Sequence, residues 1–235
     1  MAEVEQAGYP IIRISLGDRY DLGGQCFLWE MAVAVAGQRL GINPFNQPNV
    51  EAAKARARRA VDEYKRKGTL PAETPAVTEG EITVYGATKA ENPGAALCTF
   101  LSRAQPGAYI VLQAYVQPIP ETEAALQGLR ARLRDRFRLA TTVGYGPRFL
   151  HSTGQLHKGD AGRGLFIQIT ADDPKDLPIP DEAGKPDSSL TFGVLKTAQA
   201  LGDRQALRDA GRAVIHFHLG TDPVKGLRVL GKAAS

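Results

Sequence analysis

The stretch "AYIVLQAYV", residues 108–116, is apolar along almost its whole length. A strand with one face in water alternates apolar and polar residues, whereas a strand buried on both faces is a near-continuous apolar run. This stretch therefore predicts a β-strand inside a sheet that is covered on both sides.

Further apolar runs suit strands, and helical patterns lie between them. These runs are "IIRISL" (11–16), "EITVYG" (81–86), "LATTVGY" (139–145), "GLFIQIT" (164–170) and "AVIHFHL" (213–219). The stretch "ETEAALQGLRARLRDRF" (121–137) has apolar residues at helical spacing. In "TFGVLKTAQALGD" (191–203), Thr191 suits an N-cap and Gly202 suits the residue after a helix. This alternation predicts an α/β three-layer sandwich with a mostly parallel sheet.

Two stretches interrupt the alternation. Residues 67–81, rich in Pro, Thr and Glu, are typical of a linker or a long surface loop. Residues 171–189 are acidic and proline-rich, which fits a surface excursion or a lid. We therefore predict an N-terminal piece of residues 1–66, a linker of residues 67–81 and a C-terminal α/β domain of residues 82–235.

The bulk composition limits the class of protein. The chain has 235 residues and a net charge of +4, which favours an anionic ligand without demanding nucleic acid. The apolar stretch "CFLWEMAVAVAG" is too short for a membrane span and contains Glu30, so it predicts a buried helix. Cys26 and Cys98 lack CxxC spacing and are expected to be free thiols. We expect a cytoplasmic protein that binds neither nucleic acid nor membrane.

The first candidate site is the segment "GYGPRFLHSTGQLHKG", residues 144–159. A strand, a glycine turn and a helix of about three turns would place the start of that helix at the carboxyl edge of the sheet, where open α/β proteins bind ligands. His151, Gln155 and Lys158 would share one helical face. Their role is either ligand binding or capping and solvation. The spacing of His151 and His157 argues against a metal site of the HExxH type, and we expect no metal.

The second candidate site is "LGINPFNQPNVEAAK", residues 40–54. Its prolines stiffen a loop that presents Gln47, and Lys54 would lie about two turns into the next helix. The same pattern also fits an ordinary connector followed by a solvated basic face. The spacing alone leaves both interpretations open.

Together, "WEMAVAVAGQRLGINPFNQPNVEAAK" and "GYGPRFLHSTGQLHKG" resemble the C-terminal portion of glucose-6-phosphate isomerase, particularly the form fused behind a transaldolase. The resemblance covers roughly residues 9–220. It implies a sugar isomerase (SIS) architecture, with Gln47 and Lys54 in the active site and His151 assisting sugar-ring opening. The candidate substrate-binding residues are Arg148, Ser152, Gln155 and Lys158, and Arg148 fits an outward, salt-bridging arginine equally well. The implied partners are a sugar phosphate, the rest of the polypeptide and, in a homodimer, a second copy, and no cofactor is implied.

The chain also departs from the pattern of this family. The histidine segment follows the lysine segment instead of preceding it, and Asn46 and Asp160 replace the usual residues of the two motifs. The glutamate base, the phosphate-binding segment and the transaldolase half have no counterpart in the sequence. We therefore predict the C-terminal part of an isomerase that cannot isomerise glucose 6-phosphate efficiently by itself. The alternative is a non-catalytic interaction or regulatory module that retains the fold.

Overall fold

The computed structural model describes residues 2–46, 48–86 and 89–234. The chain forms two compact units, Met1–Asn46 and Gln47–Ser235. The sequence prediction ended the N-terminal piece at residue 66, whereas the structure assigns the helix Pro48–Lys67 to the second unit. That helix packs along a later helix of the second unit.

The N-terminal unit consists of helices α1 (Ala2–Gln6) and α2 (Asp21–Leu40). Helix α2 ends at Gly41, whose φ of 68° lies in the left-handed region that favours glycine. The prediction of a strand at residues 11–16 is wrong, because none of the described strands pairs with this run. An apolar run becomes a strand only where a neighbouring strand satisfies its backbone groups.

The second unit is built on a six-stranded sheet in the order β1-β2-β8-β5-β3-β4. The strands are β1 (Val77–Glu79), β2 (Ile82–Tyr85), β3 (Tyr109–Tyr115), β4 (Ala140–Tyr145), β5 (Gly164–Thr170) and β8 (Ala213–His218). Strands β8, β5, β3 and β4 are parallel, and β1 and β2 form an antiparallel edge. A separate pair, β6 (Pro178–Ile179) and β7 (Leu190–Thr191), is antiparallel. The predicted α/β class with a mostly parallel sheet is confirmed.

Helices cover both faces of this sheet, which is compatible with a three-layer sandwich. They are α3 (Pro48–Lys67), α4 (Pro93–Leu101), α5 (Pro120–Phe137), α6 (Gly154–Gly159), α7 (Phe192–Asp209) and α8 (Pro223–Ala233). Leu97, Leu129 and Leu230 of α4, α5 and α8 share the main apolar core with one face of the sheet. On the other face, Leu207 of α7 packs on Val111 of β3.

Two predicted helices differ from the observed ones. The helix expected to follow Gly146 is split into a 3-10 helix, Arg148–His151, and the short α6. The backbone N–H and the hydroxyl of Ser152 both donate to the Phe149 carbonyl, which closes a turn and stops the helix. Gly202 was predicted to follow a helix, but it lies within α7, facing the backbone of α3.

The stretches predicted as a linker and an excursion both contain short strands. Strand β1 lies within residues 67–81, and β6 lies within residues 171–189. Among the helices of the described residues, none is long and apolar enough to cross a membrane.

Candidate functional site

A cavity of about 380 Å³ in the second unit brings two of the predicted catalytic residues together. Its lining consists of Val50, Ala53, Lys54, Ala57, Arg58, Val61 and Asp62 of α3, Leu150 and His151, and Leu195 and Gln199 of α7. Lys54 and His151 come from the two separate sequence motifs, yet they line one cavity. We call it the His151 cavity.

Helix α3 supplies the lysine of this cavity. The Lys54 ammonium donates a 2.7 Å hydrogen bond to the Glu51 carboxylate, one turn earlier. This hydrogen bond and the charge of Lys54 lower the pKa of Glu51. The start of the helix is tied to α6, because the backbone N–H of Asn49 donates to the Gln155 side chain at 3.2 Å. Gln155 thus positions α3 instead of lining the cavity.

The 3-10 helix supplies the histidine. Phe149 in this turn is buried, and its ring meets the Tyr115 ring edge-on at 5.7 Å. This anchor fixes the turn, and His151 at its end is exposed. Arg148 lies at the start of the same turn, with its guanidinium 6.0 Å from the Tyr145 ring, and does not line the His151 cavity.

Lys158 lies apart from the His151 cavity. It is almost fully buried, and its ammonium donates to the Asp203 carboxylate at 2.5 Å and to the Gly154 carbonyl at 3.2 Å. The predicted common face of His151, Gln155 and Lys158 does not form, because the helix is interrupted between residues 151 and 154. Gln47 lies outside the described residues.

His157 is also buried, between the rings of Phe149 and Phe166. Its Nδ1 lies 3.3 Å from the Gln113 side-chain amide. Burial lowers the pKa of His157 to about 4, with the neighbouring Lys158 charge acting in the same direction. The imidazole is therefore neutral at pH 7 and contributes to packing.

A second and larger cavity, of about 690 Å³, was not predicted from the sequence. It lies at the carboxyl ends of β5 and β8 and is lined by Tyr115, Thr170, His216 and His218 among others. The sequence carried a signal for it: the apolar strands "AYIVLQAYV", "GLFIQIT" and "AVIHFHL" each place polar residues at alternate positions near their ends. Two-residue spacing puts such residues on one face of a sheet.

Within the described ranges, no group of three or more His, Cys, Asp or Glu residues is placed to hold a metal ion. The His151 cavity offers an imidazole, two cations and one carboxylate on an apolar wall.

Comparison with known proteins relates part of this chain to one class of enzyme. No family model matches the sequence. The glucose-6-phosphate isomerase of Latilactobacillus sakei is 47% identical over 49 residues, which is 20% of this chain and 11% of that protein. The enzyme of Pediococcus pentosaceus is 48% identical over 50 residues, which is 20% of this chain and 11% of that protein. The enzyme of Lactiplantibacillus plantarum is 48% identical over 56 residues, which is 23% of this chain and 12% of that protein. The chain thus contains a region related to glucose-6-phosphate isomerases, and that region spans about one ninth of their length.

Among solved structures, a hypothetical protein from Thermus thermophilus is similar, with a TM-score of 0.49 and 17% sequence identity. The similarity covers 60% of this chain and 38% of that one.

Proposed function

We propose that this chain is the C-terminal part of a glucose-6-phosphate isomerase, in which His151 helps to open the sugar ring and Lys54 stabilises negative charge. The observation that carries the proposal is that these two residues, from separate sequence motifs, line the same cavity. Gln47 completes the proposed catalytic set. The rest of the polypeptide, which we propose to include an SIS domain and a fused transaldolase, would supply the phosphate site and the enediol base.

The chemistry of the cavity fits this role. Ring opening moves a proton between the ring oxygen and the anomeric hydroxyl, and an imidazole is suited to such transfer near neutral pH. The later enediolate is anionic, and a lysine ammonium stabilises negative charge that develops on oxygen. Arg58 adds a second cation to the lining beside Asp62, and Lys54 would exchange its Glu51 partner for the substrate oxygen that it stabilises.

The surface of α2 supports the proposal that a larger polypeptide surrounds the N-terminal unit. Phe27 is 66% exposed and Val35 is 59% exposed, and Trp29 and Met31 are about half exposed. Among the residues described for this helix, Gly37 alone is buried, so the prediction of a buried helix at residues 26–37 is wrong for this chain. Large apolar side chains are thus exposed on more than one side of this helix, and such exposure is typical of a protein-protein contact. We propose that the preceding part of the isomerase, or a second copy in a cytoplasmic dimer, covers these side chains.

One observation favours a non-catalytic module as the second candidate. Most of the lining of the His151 cavity is apolar, with Val50, Val61, Leu150 and Leu195 among its residues. An apolar groove of this size also suits an interacting side chain from a partner protein. In that case His151 and Lys54 would contribute to the rim of a contact and not to proton transfer.

The experiment that separates the two is anomer exchange. Ring opening interconverts the α and β anomers of glucose 6-phosphate, and magnetisation transfer by NMR measures its rate. We expect the chain to accelerate this exchange without forming fructose 6-phosphate. His151→Ala should reduce the acceleration by roughly 100-fold, a typical contribution of acid–base catalysis, and Lys54→Ala should reduce it as well.

Lys67→Ala is the matched control for Lys54→Ala. Both lysines lie on α3 and pair with a glutamate, but Lys67 pairs with Glu63 at the far end of the helix. Exchange at the buffer rate with the intact chain, or equal exchange with all three variants, would contradict the catalytic proposal. Net formation of fructose 6-phosphate by the intact chain would contradict the proposed absence of the base.

A further inference from the structure

The larger cavity contains a continuous line of hydrogen-bonding side chains. The register places His216 beside Gln168, and His218 beside Thr170, on one face of the sheet. The Thr170 hydroxyl lies 2.8 Å from His216 Nε2 and 3.0 Å from His218 Nδ1. His218 Nε2 in turn lies 3.3 Å from the Asp172 carboxylate. The line therefore runs from an exposed carboxylate to a buried imidazole.

The donors along this line have one consistent arrangement when both imidazoles are neutral. An ionised carboxylate only accepts, so His218 Nε2–H points at Asp172 and leaves Nδ1 as an acceptor. Thr170 then donates to His218 and accepts from His216 Nε2–H. This arrangement leaves His216 Nδ1 as a bare lone pair, and that atom has no hydrogen-bond partner among the described residues.

His216 is held in this neutral form by its surroundings. The side chain is only 7% exposed, and the Tyr85 ring stacks on it at 4.9 Å. Burial lowers the pKa of His216 well below its usual value, and the positive charge of Arg204 lowers it further. The unpaired Nδ1 has almost no accessible surface in this structure, so a partner reaches it only when the side chains around it move.

A second lining residue of this cavity also has a buried polar atom without a partner among the described residues. Tyr115 is fully buried, and its hydroxyl makes no hydrogen bond within the part of the chain that the structure describes. An unpaired buried polar group lowers stability by about 1–3 kcal/mol, so two of them on residues that line one cavity require an explanation. A ligand hydroxyl pairs with both kinds of group, because it donates to an imidazole nitrogen and accepts from a phenol.

The charge at the cavity selects against anions. Its described lining contains four carboxylates, those of Glu73, Asp172, Asp173 and Asp176, and two cations, Lys196 and Arg204. Both cations are already paired, Lys196 with Asp173 at 2.5 Å and Arg204 with Glu73 at 2.5 Å. The Asp176 side chain lies beside the first turn of α7, where its carboxylate accepts a 2.7 Å hydrogen bond from the Gly193 backbone N–H. A phosphate or carboxylate would meet these acids without a free counter-charge among the described lining residues.

We propose that this cavity is a second binding site, distinct from the His151 cavity, for a small polyhydroxylated molecule that carries no negative charge. Binding would displace the side chains that cover His216 Nδ1 and the Tyr115 hydroxyl, so that ligand hydroxyl groups donate to the first and accept from the second, and the acidic rim would bind further hydroxyl groups or an ammonium. The volume of about 690 Å³ lies within the usual range for small-molecule sites. This proposal does not depend on the isomerase proposal.

Three probes with one carbon skeleton test it: glucamine, sorbitol and gluconate, which carry a positive, zero and negative charge. The chain contains four histidines, so the ring nitrogens of His216 can be followed by ¹⁵N NMR during each titration. We expect glucamine to shift the His216 Nδ1 resonance and to bind roughly tenfold more tightly than sorbitol, with gluconate weakest. An unshifted His216 with glucamine, or a gluconate affinity equal to that of glucamine, would overturn the proposal.

Two variants assign the binding to this cavity without removing a buried residue. Asp172→Asn removes one rim charge and the anionic acceptor of His218, and it should weaken glucamine binding severalfold. Asp135→Asn is the matched control, because Asp135 is an exposed carboxylate on α5 that pairs with Arg134. Equal loss of glucamine affinity in both variants would indicate a nonspecific effect of net charge and would also overturn the proposal.

Discussion

Lys158 lies inside the protein, with 4% of its surface exposed, and its ammonium contacts the fully buried Asp203. The sequence presented it as a candidate substrate-binding residue because helical spacing aligned it with His151. Its ion-pair partner, Asp203, lies 45 residues later in the sequence, on α7. The two side chains meet only because the tertiary fold brings α6 and α7 together. Spacing within one segment carries no information about such a partner.

Replacement of Lys158 tests this structural role. Lys158→Met should lower the free energy of unfolding by about 3–5 kcal/mol, because it leaves an unpaired carboxylate in the interior. Burial then raises the pKa of Asp203 without an opposing ammonium. The double variant Lys158→Met/Asp203→Leu should recover most of the loss. Urea denaturation followed by circular dichroism measures all three proteins.

Lys67→Met is the control for the Lys158 variant. Lys67 also pairs with a carboxylate, but its side chain is 61% exposed, and such surface pairs contribute about 0–1 kcal/mol. Similar unfolding energies for Lys158→Met and Lys67→Met would show that the buried pair does not stabilise the fold.

At the scale of elements, the strands of the parallel sheet and the N-cap of α7 at Thr191 were predictable, whereas the C-terminal end of α7 was not. Interior strands such as β3 and β5 are apolar along their length because both faces are covered, and this signal lies within each segment. Helix α7 continues past Gly202 to Asp209. At Gly202 it packs against α3, which is distant in sequence. A glycine at that position is typical of a helix C-terminus, but here its missing side chain allows α3 and α7 to pack closely.

The contact between α3 and α7 forms one wall of the His151 cavity, and Gly202 allows the two helices to approach closely. A Cβ at this position would lie 2.7 Å from the Ala57 backbone nitrogen and 3.0 Å from the Ala53 carbonyl oxygen. Backbone atoms cannot move aside as a side chain does. Gly202→Ala should therefore destabilise the protein by about 1–3 kcal/mol, measured as a fall in the urea midpoint.

Gly128→Ala on α5 is the matched control, and it should stabilise the protein where Gly202→Ala destabilises it. A Cβ there meets no described atom within 4 Å, so alanine should raise stability by about 0.5–1 kcal/mol through its better helix propensity. Crystal structures of both variants would show α3 displaced only in Gly202→Ala. A stabilised Gly202→Ala protein would contradict the close packing of the two helices.

At the scale of the whole molecule, the residues buried on one side of the sheet were predictable from the sequence, and the contacts on the other side were not. The side packed by α4, α5 and α8 is apolar, as periodicity predicts. The opposite side contains Gln113, Gln168, His157 and His216, all buried. Both cavities and the buried ion pair lie with the helices of this side. Their partners come from separate segments, so single-sequence reasoning identified the residues of the His151 cavity through resemblance and missed the second cavity.

The buried histidines make global stability depend on pH. The pKa of His157 is about 4 in the folded protein, whereas an exposed histidine in the unfolded chain titrates near 6.5. Between these values the unfolded state binds more protons than the native state, so the free energy of unfolding increases as pH rises through this window. Acidification from pH 7 to pH 5 should therefore remove about 2 kcal/mol through His157.

His157→Leu isolates this contribution, because leucine fits the apolar contacts of Phe149 and Phe166 and does not titrate. Urea denaturation at pH 7, 6 and 5 measures the free energy of unfolding of both proteins. The variant should lose less stability than the parent over this range, by about 2 kcal/mol at pH 5. The remaining slope is expected from His216, whose pKa is also lowered by burial. Parallel pH profiles for the two proteins would mean that His157 is protonated to the same extent in the folded and unfolded chains.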